Sequence, residues 1–264
     1  MQNSPSPKHE HLFDLPSLPE QLLGLAGSFT RHNDALSTLS ASGPESGAAL
    51  RKHIPSTHAL GRQTLDVMDS AERLLHPTPA AVEAGLRLRQ LAFLTTGAVD
   101  ELLGALDLVE AGADGADTRL QLAMELTLLS PEAAVGIAER LAVEMRRQGV
   151  APEREGTTRL SPPELTALRA VARGEVQVTK MLGKQYVSSH GTRLSIATIR
   201  TLESRELLKR DRGPQEAVPQ RLILTAAGDR ALADVFGQSP VTTPAIHPAP
   251  NPSNAPSAAV SRSR

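Results

Sequence analysis

Leu194-Ser-Ile-Ala-Thr-Ile-Arg-Thr-Leu-Glu-Ser-Arg-Glu-Leu-Leu-Lys-Arg-Asp211 and, after a short gap, Arg221-Leu-Ile-Leu-Thr-Ala-Ala-Gly-Asp-Arg-Ala-Leu-Ala-Asp-Val-Phe236 decide the fold of the C-terminal third of this chain. Ser195 is a good N-cap, and the residues behind it carry a helical period. Ile196, Ile199, Leu202 and Glu203 fall on one face. Ala197, Thr198, Thr201, Ser204 and Arg205 fall on the other, with Arg200 at the flank. Leu207-Leu-Lys-Arg-Asp-Arg212 then reads as a basic strand and residues 213–219, with Gly213, Pro214 and Pro219, as a turn. Residues 220–224 read as a return strand with Leu222 and Leu224 inward. Thr225 caps a closing helix that begins Ala226-Ala-Gly228.

Upstream, Ser161-Pro-Pro-Glu164 is a capping box with prolines in first-turn positions, where a missing amide costs nothing. The helix behind it buries Leu165, Leu168, Ala172 and Val171 and closes at Gly174. The stretch from Val176 to Leu194 admits two readings. Residues 179–188 can form a second helix with Ser189-His-Gly191 as its turn. Alternatively 184–188 and 192–194 can pair as a small hairpin across His190-Gly191. Strand content is the favoured reading.

The order helix, ambiguous segment, helix, strand, turn, strand, helix is that of a winged helix, and an outer face of small hydroxyl residues and arginine suits a DNA groove. Thr198-Ile-Arg-Thr-Leu-Glu-Ser-Arg-Glu-Leu-Leu-Lys-Arg, followed by Leu222-Ile-Leu-Thr-Ala-Ala-Gly-Asp-Arg-Ala-Leu, resembles winged-helix regulators of the MarR and PadR type. The resemblance covers about residues 160–236. It implies double-stranded DNA as partner, with Thr198, Thr201 and Arg205 in a groove and Lys209, Arg210, Arg212 and Arg221 on phosphates. Thr192, Arg193, Ser195 and Arg200, around the start and flank of the same helix, complete the candidate set. The chain departs from the family pattern at Glu206, where glycine is usual, and in a wing tip whose one basic residue is Arg212.

Charge agrees with this division. Residues 159–236 hold 13 Lys/Arg and 8 Asp/Glu, a net of +5, whereas residues 1–158 hold 13 and 21, a net of −8. The overall −1 therefore conceals a basic unit joined to an acidic one. Aromatic residues make up only 2% of the chain, so a platform for stacking splayed single-stranded bases is not expected. With no cysteine, thiolate catalysis, disulfides and cysteine-based zinc sites are excluded.

The part before the basic unit reads as helices. Residues 18–40 carry one apolar stripe, 45–76 a second that is expected to break at Pro55, and 79–111 a third, capped by Thr78 and about 50 Å long. Residues 117–129 and, past Ser130-Pro131, a continuation to 148 give the fourth. Short connections between long amphipathic helices imply an antiparallel bundle.

The expected fold is mainly α, an N-terminal antiparallel helical bundle plus a C-terminal winged-helix (α+β) domain. The boundaries are a disordered N-terminus (1–16), the bundle (17–149), a linker (150–158), the winged helix (159–236) and a disordered tail (237–264). The histidines lack metal-ligand spacing, no phosphate-binding loop occurs, and neither metal nor cofactor is expected. The expectation is a cytoplasmic, non-enzymatic bacterial regulator, homodimeric, with no membrane segment and an unidentified effector. The alternative is a helical interaction protein whose winged helix docks a protein.

Overall fold

The computed structural model describes residues 15–40, 45–152, 158–181, 184–211 and 220–238. The expectations for the two ends beyond these, and for the wing tip with Arg212, lie outside the described residues. The architecture is mainly helical, with a four-stranded antiparallel sheet toward the C-terminus.

α1 (Leu18–Ser37) is buried almost all round through Leu22, Leu23, Leu25, Ala26, Phe29 and Leu36. A helix apolar on every side belongs at a centre, and α1 contacts α2 (Ser46–Leu74), α4 (Ala116–Leu128) and α5 (Ser130–Arg147). α3 (Pro79–Glu110) lies against α2, α4 and α5, and Thr78 caps it by accepting the Ala81 amide at 3.2 Å. The turn after α3 uses Gly112 and Gly115 at positive φ.

The expected break at Pro55 does not occur, and α2 runs straight through it. Pro55 is exposed, so the carbonyl it leaves unbonded faces water. Leu50 and Thr57 on either side of it are buried and hold the helix in place.

α6 (Pro162–Ala172) begins at the anticipated capping box, where the Ser161 amide donates to Glu164 Oε2 at 2.8 Å. Next come β1 (Val176–Met181) and β2 (Lys184–Ser189), α7 (Ile196–Ser204), β3 (Leu208–Arg210), β4 (Gln220–Leu224) and α8 (Ala226–Gly237). The sheet order is β2-β1-β4-β3.

The favoured strand content of 176–194 holds, with 184–188 inside β2, but the pairing expected for it needs correction and the helical reading fails. The second helix is replaced by strands, and the partner of β2 is β1, in register from Val176↔Ser189 to Met181↔Lys184. The cause is a period of two in which Val176 and Val178 turn inward beside Val187, with Gln177 and Thr179 on the other face. His190-Gly191 instead leaves the strand, Gly191 at φ 78, and leads to the Ser195 cap.

The helical part and the sheet-bearing part share one apolar core. It runs from Leu22 and Phe29 through Leu88, Ile137 and Leu141 to Leu168, Ile199, Leu222 and Leu232. A smaller cluster around Leu36, Leu50, Leu102 and Leu120 fills the far end of the helical part. Among the described residues no helix is long and apolar enough to cross a membrane.

Candidate nucleic-acid interface

α7 is anchored by Ile199 and Leu202, both fully buried, and it rests on α6, β2 and β3. Ser195 caps it by accepting the Ala197 amide at 3.1 Å. Its far end closes with the Leu207 amide on the Leu202 carbonyl and the Glu206 amide on the Glu203 carbonyl, each 3.0 Å. That pattern requires a left-handed residue between helix and strand, and Glu206 supplies it at φ 57.

The outer face of α7 is open to solvent. Ala197, Arg200, Thr201, Ser204 and Arg205 are exposed, while Thr198, expected on this face, is only half-exposed. Arg200 stands on the open face and not at its flank. Thr201 and Ser204 donate back to the carbonyls of Ala197 (3.1 Å) and Thr201 (2.8 Å), which keeps the hydroxyls close to the helix and the surface low.

The arginines divide into two groups. Arg205 donates to Glu164 Oε1 at 2.6 Å and to the Arg159 carbonyl at 3.0 Å. Glu164 is held below the usual carboxylate range, first by the Ser161 amide and hydroxyl and then by Arg205. Arg210 forks onto Glu203 at 2.6 and 3.1 Å, which pushes its own pKa up. Arg221 forks onto Asp34 of α1 at 2.8 and 2.5 Å and reaches the Gly174 carbonyl at 2.6 Å. These three, expected on DNA, are therefore committed to contacts within the chain. Arg221 in particular ties β4 to α1.

Arg193 is exposed and in no ion pair among the described residues. Lys209 is also exposed, but it alternates with Arg210 and so lies on the face of β3 away from α7, where its charge acts on Asp229 of α8. Arg200 makes one contact, to Gln185 Oε1 at 3.3 Å. Gln185 pairs across the hairpin with Lys180, so both side chains project on the face that meets α7. Lys180, exposed, thus brings a positive charge to the end of the β1–β2 hairpin beside α7, and Lys184, on the opposite face of β2 with Tyr186, adds a second at the same end of the hairpin. Sequence reasoning missed them. The signal was the alternation from Val176 onward, which a helical reading of 179–188 hides. Thr192 is half-buried in the connection to α7.

The surface that emerges joins Arg200 and Thr201 on α7, Arg193 before it, and Lys180 and Lys184 at the end of the hairpin; Lys209, expected on DNA, is not part of it. The surface offers dispersed cations around a low hydroxyl-bearing helix. Among the described residues no group of His, Asp or Glu could hold a metal ion. No family model matches the chain, and neither do any of the curated proteins or solved structures with which it was compared.

Proposed function

We propose that this chain binds double-stranded DNA through a winged-helix-like unit formed by residues 159–236, and acts as a transcriptional regulator whose acidic helical part carries association or sensing. α7 enters the major groove with Arg200 and Thr201 toward base edges, while Arg193, Lys180 and Lys184 contact phosphates. Ser195 acts on α7 through its cap, and Arg205, Arg210 and Arg221 act by fixing α7, β3 and β4 in place. The observation that carries this reading is the open outer face of α7, small at Ala197, Thr201 and Ser204 and bordered by cations without intramolecular ion pairs.

A second reading is favoured by β2. It is the outer strand of the sheet, with Tyr186 exposed at its centre, and such an edge can accept a strand from a protein partner.

Competition binding with fragments of the encoding genome separates the two. The DNA reading predicts that some fragment outcompetes random DNA by at least about a hundredfold, within the range of specific readers. Arg200→Ala should then relax sequence preference, and Lys184→Ala should weaken all fragments alike. If no fragment competes better than random sequence, regulation of transcription is excluded and the β2 reading takes its place.

A further inference from the structure

The outer face of α3 carries an apolar stripe that nothing among the described residues covers. Val82, Leu86, Phe93 and Leu103 are exposed to 53%, 58%, 76% and 42%, high values for large apolar side chains. They lie on a set of positions stepping by four and three residues from Val82 to Asp107, the spacing that keeps one seam of a helix facing a partner helix. Arg89, Thr96 and Asp100 fill the same seam. Exposed apolar seams of this length are uncommon on proteins that remain single.

We infer that this face is a self-association surface whose occupant is a second copy of the chain, with the two α3 helices antiparallel about a two-fold axis level with the segment between Phe93 and Thr96. The charges select this occupant and this direction. In that register Arg89 of one copy meets Asp100 of the other, and symmetry makes the pair twice. Leu86 meets Leu103, and Phe93 falls on Thr96 and Gly97, whose small side chains leave room for the ring. Val82 and Asp107 meet at the rim, where the carboxylate stays in water. A parallel arrangement would set Arg89 against Arg89 and Asp100 against Asp100.

Arg89 and Asp100 are available for the contact. Arg89 has a single long intramolecular ion pair, 3.9 Å to Glu72, and Asp100 has no ion pair among the described residues.

The neighbours extend the surface. A strip one helix wide from Val82 to Asp107 gives roughly 400 Å² per copy, short of the ~800 Å² per partner typical of a stable interface. On the α4 side, Gly97 lies against Leu126 and Gly104 against Arg119. That antiparallel register places the exposed Leu128 and Leu129 level with the two-fold axis. On the α2 side, Gly61 lies against Thr95, which brings the exposed Leu65 level with Leu91, about half a turn from Phe93. Under the two-fold, α2 faces α2 and α4 faces α4, so both flanks add apolar contact. The surface shares no residue with the α7 face and stands whether or not the chain binds DNA.

Sedimentation equilibrium of the full chain from about 1 to 100 µM, a range spanning micromolar dissociation constants, tests the inference. The wild type is expected to dimerise reversibly, and Phe93→Asp to weaken the dimer at least tenfold. Arg89→Asp and Asp100→Arg should each weaken it about tenfold by opposing like charges, and the double variant should return to within about threefold of wild type. These side chains are exposed, so matched circular dichroism melts will show that each variant folds. A wild type that stays monomeric throughout, a Phe93→Asp chain that associates as tightly as wild type, or a double variant no tighter than its single parents would each overturn the proposal.

Discussion

At the scale of single residues, two backbone positions show why the link between α7 and the sheet reads as it does. Glu206 holds φ 57, where side chains with a Cβ are strained by roughly 1–2 kcal/mol. Glu206→Gly removes that strain at some cost in unfolded-chain entropy, and a net stabilisation of about 0.5–1 kcal/mol is expected, seen as a melting temperature higher by about 2 °C. Gly228 shows the opposite constraint: a Cβ there would sit 2.1 Å from the Leu207 carbonyl oxygen. Gly228→Ala must push α8 off β3, and a loss of about 3 kcal/mol or more is expected in denaturant unfolding. Half-buried Asp229 and buried His32 add a pH dependence. Burial, with Glu20 as the second cause, raises the Asp229 carboxyl to about 7, and its Oδ1 has no hydrogen-bond partner among the described residues. The folded chain then holds a proton that the unfolded chain releases from about pH 4 upward. This contribution is full below that pH and is lost as pH rises through 7. Asp229→Asn is therefore expected to stabilise the chain on the order of 3 kcal/mol at pH 8 and by little at pH 4, as thermal melts across that range would show. Burial, with His53 as second cause, lowers His32 to about 4, so the variant keeps the reverse trend and loses stability as pH falls from about 6.5 to 4.

At the scale of elements, what the sequence discloses follows from how local each signal is. Thr78, Ser161, Ser195 and Thr225 each begin a helix where their hydroxyls predict one, because a cap and its amide lie within three residues. The outward face of α7 was legible for the same reason. β1 was not, because a strand is defined by its partners, and its second partner β4 begins some forty residues later. Nor were the fates of the arginines. Asp34 and Arg221 are 187 positions apart, and no pattern in either neighbourhood announces their meeting. That ion pair makes a prediction about β4. Arg221→Ala leaves the Asp34 carboxylate and the Gly174 carbonyl without their shared donor, and a destabilisation of about 2–3 kcal/mol is expected. Duplex affinity, measured where the variant remains folded, should change little. A large loss of affinity with unchanged stability would instead put Arg221 on the DNA.

At the scale of the whole molecule, the continuous core and the divided charge act together. Phe29 of α1 belongs to the same cluster as Leu168, Leu222 and Leu232, and Gly174 approaches so near Thr30 that an added Cβ would lie 2.6 Å from its hydroxyl oxygen. Unfolding should accordingly be one transition, with calorimetric and van't Hoff enthalpies in agreement. Two resolved transitions would show that the helical and sheet-bearing parts are energetically separate. The net of −8 on one part and +5 on the other orients the molecule toward a polyanion, the basic unit leading. The direct test is the salt dependence of duplex binding by the full chain. If Arg193, Lys180 and Lys184 each neutralise a phosphate, log K should fall against log salt with a slope of about −2.7 per bound chain, and the threefold alanine variant should lose nearly all of it. Arg205→Ala, tested in parallel, should leave the slope unchanged. A wild-type slope near zero, or a slope that survives removal of the three cations, would contradict the assignment of this surface to DNA.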